Sequence, residues 1–232
     1  RGDGYYLASC LGHEIAEPVP ALVQLHAADP LVKMAAGVRA DAGITTWIDD
    51  KKTAFWQGEL QITDYGLSGI VVFQSSRLAA YGLLEKKDVC LEVDFLPEYA
   101  KTEAEELLQR RLQMREGNLT LEQSLQGLLH DKLIAPILKR AGLSAEKLAG
   151  DCDKENVTRL LAALRHYVVK ITDTHGFSNA QVTAGGVKTD RIDPKTMESE
   201  LVPGLFFAGE VLDVDGICGG YNLQWAWSSG AL

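Results

Sequence analysis

Between Val89 and Phe95, in "DVCLEVDF", apolar Val89, Leu91, Val93 and Phe95 alternate with Cys90, Glu92 and Asp94, the period-two signature of a strand with one buried face. "GITTWID" and "TAFWQGELQITD" carry the same β-branched and aromatic weighting, so residues 31–95 are predicted to be mainly strand. Within that stretch "DYGLSGIVVFQSSRLAAYG" is apolar without a clear period, and a buried strand and a helix both fit it. From residue 97 the period lengthens. In "AKTEAEELLQRRLQMRE", Ala104, Leu107, Leu108 and Leu112 form one helical stripe. "TLEQSLQGLLHDKLIAPILKRAG" predicts a second helix, opened by a Thr120–Gln123 capping box and ended or kinked at Pro136. "SAEKLAG" reads as a capped turn, and "NVTRLLAALRHY" as a helix opening at Asn156.

The flanks differ from this middle. "YYLASCLG" predicts a short helix stopped by Gly12, and Pro18 and Pro20 predict an extended, linker-like crossing in "HEIAEPVPALVQLH". After the helices, "YVVKITDTHGFSNAQVTAGGV" returns to strand chemistry, with Gly176 and Gly185–Gly186 expected as breaks. Near the end, "LFFAG" predicts a short strand meeting Gly209 and Glu210, "DGICGGYN" a glycine loop, and "LQWAWSSG" a helix.

Composition narrows the function classes. A hydrophobic fraction of 46% in 232 residues supports a real core. The net charge of −9, without long like-charge blocks, argues against nucleic acid or an anionic membrane as primary partner. Apolar runs such as "SGIVVF" fall far short of the roughly 18 residues a membrane helix needs. The N-terminus has no signal-peptide layout, and Cys10, Cys90, Cys152 and Cys218 are scattered, without metal-ligand spacing. A reduced, cytoplasmic setting with incidental thiols is expected, and no metal site. His13, His26, His130, His166 and His175 show neither triad nor metal spacing and are expected at the surface or as caps.

The closing stretch carries the candidate chemistry. An acid at a strand end followed by glycines at a helix N-terminus suits a polyol hydroxyl and an anion or electron-rich carbonyl. A strand–turn–helix whose glycines serve only tight packing fits the same residues. Asp213 and Asp215 lie in the intervening loop, where orienting a substrate and capping local N–H groups are both open. Trp225 and Trp227, two apart, are expected to face different ways, one into the core and the other toward a partner surface.

The run "GGVKTDRIDPKTMESELVPGLFFAGEVLDVDGICGGYNLQWAWSSG" closely resembles the C-terminal region of the HI0933-like (YhiN/BaiN-type) FAD-dependent flavoproteins, a family of oxidoreductases that includes proteins described as aminoacetone oxidases. "GDGYYLASCLGH", "QGELQITDYGLSG" and "SNAQVTAGGV" extend the resemblance in order along the chain. The resemblance implies an α+β chain: a β-barrel-like insert with a small helical subdomain, plus the C-terminal part of a two-dinucleotide-binding-type α/β flavin domain. On that reading residues 1–20 and 181–232 belong to the flavin domain, 21–97 to the β-rich insert, 98–165 to the helical subdomain and 166–180 to a return strand. It implies FAD contacts at Gly209 and Glu210 near the ribityl or phosphate region. Gly219, Gly220, Tyr221, Asn222 and Leu223 would face the isoalloxazine edge, mainly through backbone, with Gly2, Asp3 and Gly4 nearby. Hydride transfer through flavin N5 follows, with NAD(P)H or an amine as candidate donor, a small-molecule substrate, and a homo-oligomer compatible with the sequence. No catalytic acid or base is named.

Two departures stand out. Asp64 and Tyr65 precede "GLSG" where the family commonly has His with an aromatic or Arg, and Cys218 stands where Thr is frequent. No G-x-G-x-x-G occurs, so the sequence is expected to be part of a longer enzyme, inactive and weak in flavin binding by itself. The rival expectation is a stand-alone β/helical ligand- or partner-binding module without catalysis.

Overall fold

A computed structural model describes residues 2–113 and 118–232. The chain divides into two compact units, one of residues 1–23 with 174–232, the other of residues 24–173.

The first unit begins with α1 (Asp3–Cys10) and β1 (Ile15–Ala21). The proline-containing crossing is thus a strand. A register shift between Ala16 and Val19 takes up Pro18, whose missing N–H would otherwise leave a gap in the ladder.

The second unit is a closed six-stranded barrel with helices packed on it. Its elements are β2 (Leu25–Ala27), α2 (Pro30–Met34), β3 (Arg39–Ile48), β4 (Lys51–Ile62), β5 (Gly66–Ser68), α3 (Ile70–Leu84), β6 (Val89–Asp94), α4 (Lys101–Leu112), α5 (Leu121–Leu125), α6 (Asp131–Ala141), α7 (Lys154–Arg165) and β7 (Tyr167–Thr174). The strands follow the order β2-β5-β4-β3-β6-β7. Asp49 and Asp50 both adopt positive φ, 47° and 60°, and close the β3–β4 hairpin as a tight primed turn. The ambiguous apolar stretch is helix α3, whose buried residues Val71, Val72, Ser75, Ser76, Ala79 and Ala80 share one face; serines on that face and the exposed Ile70 and Leu84 on the other erase the 3.6-residue apolar period. Its serines stay satisfied by donating back to the helix, Ser75 to Val71 O at 3.0 Å and Ser76 to Phe73 O at 2.7 Å.

The second predicted helix is two helices. The Thr120–Gln123 capping box is present, but the chain breaks after Leu125, where Gly127 takes φ 76°. His130 then caps α6, its Nδ1 accepting from Lys132 N at 3.2 Å, and Pro136 lies within that helix. Helix α7 opens at Lys154, capped by Asp153, whose Oδ1 accepts from Asn156 N at 2.8 Å. Asn156 is instead buried, accepting from Lys147 Nζ at 2.6 Å. Apolar residues of the barrel wall and the helical leucines form one core, from Ile44, Leu60 and Leu91 to Leu108, Leu133 and Leu160. Arg165 donates twice to Asp94 Oδ2, at 3.1 and 2.9 Å, tying α7 to β6.

The first unit resumes with β8 (Val182–Val187), antiparallel to β1, and ends with α8 (Tyr221–Gly230). Gly185 and Gly186 lie inside β8 and do not break it. A Cβ on Gly185 would sit 2.6 Å from Glu17 O, and one on Gly186 2.6 Å from Val211 O, so glycine admits backbone on both sides. The predicted "LFFAG" strand reduces to a single bridge between Phe206 and Glu198, followed by a 3₁₀ turn at Gly209–Val211. A small core of Ala8, Val187, Ile192, Met197, Phe207 and Leu212 holds this unit.

Candidate functional site

The residues singled out in the closing stretch converge within the first unit. A cavity of about 330 Å³ is lined by Glu210, Gly219, Gly220, Asn222 and Leu223, with Leu22, Val182 and Trp225 among its apolar walls. Gly220 is the N-cap of α8, in left-handed conformation with φ 90°, and no side chain caps the helix. The first-turn N–H groups, which lack intrahelical acceptors by helix geometry, stand at the cavity wall together with the positive end of the helix dipole. A Cβ on Gly220 would enter open space, whereas one on Gly219 would approach the Tyr221 ring at 3.4 Å. Backbone is therefore what the loop presents at Gly220.

Glu210 is shared with a second, more open depression of about 430 Å³, lined by Gly2, Asp3, Gly4, Tyr5 and Val211. One of its carboxylate oxygens accepts from Thr183 N, which orients the side chain and leaves the other oxygen for a ligand. Burial, and then the charge of Glu210, push the Tyr5 hydroxyl above its ordinary pKa, so it remains a proton donor through neutral pH. Together these groups suit a polyhydroxylated, partly anionic ligand: a carboxylate for hydroxyls and N–H groups at the helix start for a carbonyl or negative charge.

Two of the ten residues expected at the site line neither hollow. Gly209 is buried, donating to Ser229 Oγ at 2.8 Å and accepting from Trp225 Nε1 at 3.1 Å. Tyr221 is 59% exposed, with its ring beside Gly219. Asn222 lines the cavity, but its carboxamide is occupied: Oδ1 accepts from Gly216 N at 2.8 Å and Nδ2 donates to Gly216 O at 3.0 Å. Asp213 lines neither hollow; its Oδ1 is buried with no hydrogen-bond partner among the described residues, and its charge acts on Lys188. Leu22, Gln181 and Val182 escaped sequence reasoning because they arrive at the ends of β1 and β8, with no local chemical signal beyond that of ordinary strand residues. Trp225 Nε1 is spent on Gly209, while Trp227 is 68% exposed.

His13 is a correction. It is buried at 4% exposure, in contact with Phe207 at 4.9 Å between ring centroids, and 2.8 Å from Ser199 Oγ. Ser199 Oγ already accepts from Leu201 N at 3.0 Å and Val202 N at 2.9 Å, so its one proton goes to His13 Nε2. Its place between Phe207 and Ser199 gives His13 a structural role. The four cysteines form no disulfide; Cys10 is exposed and the others are half-buried. Burial raises the pKa of Cys90 and of Cys152, which favours the thiol over the nucleophilic thiolate. No helix among the described residues is long and apolar enough to cross a membrane.

Comparison with known proteins gives the chain its relatives. The family model described as "HI0933-like protein barrel and H2TH domain" matches residues 19–182. A 3-dehydro-bile acid delta(4,6)-reductase of Clostridium scindens is 42% identical over 231 residues, covering 100% of this chain and 56% of that protein. Ribosomal RNA dihydrouridine synthases of Haemophilus influenzae and Escherichia coli are 32% and 31% identical, each over 97% of this chain and 53% and 54% of their own lengths. The chain thus spans about half the length of the curated relatives it matches. An α+β chain with a closed six-stranded barrel, matched over most of its length by that model and related throughout to a reductase, belongs to the HI0933-like protein family.

Proposed function

We propose that the chain is part of an FAD-dependent reductase that saturates a carbon–carbon double bond conjugated to a carbonyl, with NAD(P)H as the source of electrons. The observation that carries this reading is the cavity where the uncapped start of α8, the Gly219–Gly220 backbone and Glu210 meet. These residues fit one part of a flavin. Gly220 leaves open space where a Cβ would stand, so a flat ring can approach the backbone. Bound FAD would supply the hydride. The chain's own work would be to hold and orient: Glu210 would accept from a hydroxyl of the bound cofactor, and the α8 N–H groups would stabilise negative charge that develops on its reduction. Gly2, Asp3 and Gly4 border the depression on the other side of Glu210 and extend the same cradle.

The reaction class draws on the relatives' names. A delta(4,6)-reductase of a 3-dehydro-bile acid and a dihydrouridine synthase share one chemistry, hydride addition to an alkene polarised by a carbonyl. Both are reductive, which favours a nicotinamide over an amine as donor. The higher identity to the bile-acid enzyme and the net charge of −9 favour a small apolar ketone over RNA. The test is to purify the protein from its complete reading frame, record flavin absorbance after gel filtration, and follow anaerobic bleaching by NADPH. A 4,6-dienone steroid and ribosomal RNA lacking dihydrouridine are then offered as acceptors. Bleaching followed by reoxidation with the dienone is expected. Absence of bound flavin would overturn the cofactor assignment, and turnover with RNA alone would overturn the substrate class.

A further inference from the structure

Helix α8 carries three polar side chains at Asn222, Trp225 and Ser229, spaced i, i+3 and i+7 and therefore on one stripe. All three are spent on backbone of the segment that precedes the helix. Trp225 Nε1 donates to Gly209 O at 3.1 Å, and Ser229 Oγ accepts from Gly209 N at 2.8 Å while donating to Trp225 O at 2.7 Å. At the cavity end Asn222 grips both the N–H and the C=O of Gly216, at 2.8 and 3.0 Å. Two bonds between one planar amide and one residue fix orientation as well as distance, which a single bond does not. The loop from Gly216 to Asn222 is thereby closed into a ring, drawn so tight that a Cβ on Gly216 would lie 3.0 Å from the Tyr221 Cβ.

We propose that Asn222 is a positioning residue whose double clamp on Gly216 aims the backbone N–H groups of the Gly219–Leu223 turn into the cavity. This inference rests on the flavin reading above. The carboxamide, with both its ends committed to Gly216, shapes the loop, and the backbone meets the ligand. Without the clamp, Gly219 and Gly220, at φ 130° and 90°, have no side chains to limit their conformations, and the uncapped helix start loses its fixed direction.

Gly216 separates positioning from contact, because it does not line the cavity and is not among the left-handed glycines. Gly216→Ala keeps the N–H and C=O that Asn222 grips and adds only a Cβ, 3.0 Å from the Tyr221 Cβ, so it serves as the control. In the protein from its complete reading frame, Asn222→Ala is expected to weaken FAD about tenfold, as for loss of one or two net hydrogen bonds, and to shift the bound-flavin spectrum, whereas Gly216→Ala, which retains both bonds, changes each less. Amide exchange supplies a readout that needs no flavin: Gly216 N–H is slow in the parent and fast in Asn222→Ala. Loss of flavin in Asn222→Ala with Gly216 N–H exchange as slow as in the parent would show direct contact and overturn the proposal. Parental affinity and spectrum in both variants would overturn it too, leaving the flavin assignment intact. An unaltered protein that binds no FAD would overturn both. Should Asn222→Ala fail to fold, Asn222→Asp, which keeps the acceptor for Gly216 N–H and loses the donor to Gly216 O, is read in the same way.

Discussion

The two units solve the burial problem in opposite ways. In residues 24–173 the barrel and its helices share one continuous core, and large side chains such as Leu25, Ile44, Leu91, Leu125 and Leu133 are almost wholly buried. In the other unit the buried core is small, while Tyr6, Leu7, Phe206, Tyr221, Leu223 and Trp227 are each more than half exposed. There, order comes from side chains satisfying specific groups: Ser199 on His13, Asn222 on Gly216, Trp225 and Ser229 on Gly209. Hydrophobic burial is large and undirected, whereas each hydrogen bond adds about 0.5–1.5 kcal/mol net but fixes direction. The barrel unit gains stability from its arrangement, and the unit with the candidate site gains geometry.

The sharpest way to break this contrast is to separate the parts. Residues 24–173 expressed alone are expected to unfold in one cooperative thermal transition, and residues 174–232 alone to show none by circular dichroism. A non-cooperative barrel fragment would remove the basis of the comparison. Next in size, Leu91→Ala should cost about 2–5 kcal/mol in denaturant unfolding, because a fully buried side chain leaves a cavity. His13→Ala is expected to cost about 2–3 kcal/mol, since it leaves the Ser199 hydroxyl without its acceptor and a void beside Phe207. Trp227→Ala, in the same unit, should stay within about 0.5 kcal/mol despite its larger side chain. The smallest effect concerns a surface pair of the barrel. Asp88, hydrogen-bonded to Lys170, has its pKa lowered, and Lys170 has its pKa raised. The contribution of Asp88 is therefore present at neutral pH and lost as pH falls through its depressed pKa, while that of Lys170 is lost as pH rises through its elevated one. Lys170→Met should lower stability slightly near neutrality, with the difference vanishing in acid and in high salt.

Legibility followed the same division. In the barrel unit, alternation at Val89–Phe95 located β6, and the stripe of Ala104, Leu108 and Leu112 located α4, because each element has one wet face. Helix α3 was not readable because its buried face carries Ser75 and Ser76 while Ile70 and Leu84 are exposed, so burial keeps a helical period that hydrophobicity lacks. Asp153 displaced Asn156 as the α7 cap because a carboxylate there reaches the N3 amide, while Asn156 is drawn inward to Lys147. In the other unit, glycines marked the loop near the cavity, but their reasons differ. Gly185 and Gly186 permit backbone contact inside a strand, Gly209 receives two α8 side chains, and Gly220 faces open space. Sequence shows that such residues are special without showing which neighbour makes them so. His13 was unreadable for the converse reason, since its partner Ser199 is remote in the chain and becomes adjacent only after folding.

The pairing of β1 with β8 has a consequence for how such a chain can diversify. Ala21 lies opposite Val182, so the polypeptide leaves for the barrel and returns from it at neighbouring rungs of one antiparallel ladder. The two-stranded ladder works as a socket. Whatever begins and ends at those rungs can be exchanged, lengthened or reshaped without altering the register of Ile15 with Val187 at the far end. The family model that matches residues 19–182 begins on β1 and ends at the first residue of β8, so its bounds fall on this ladder.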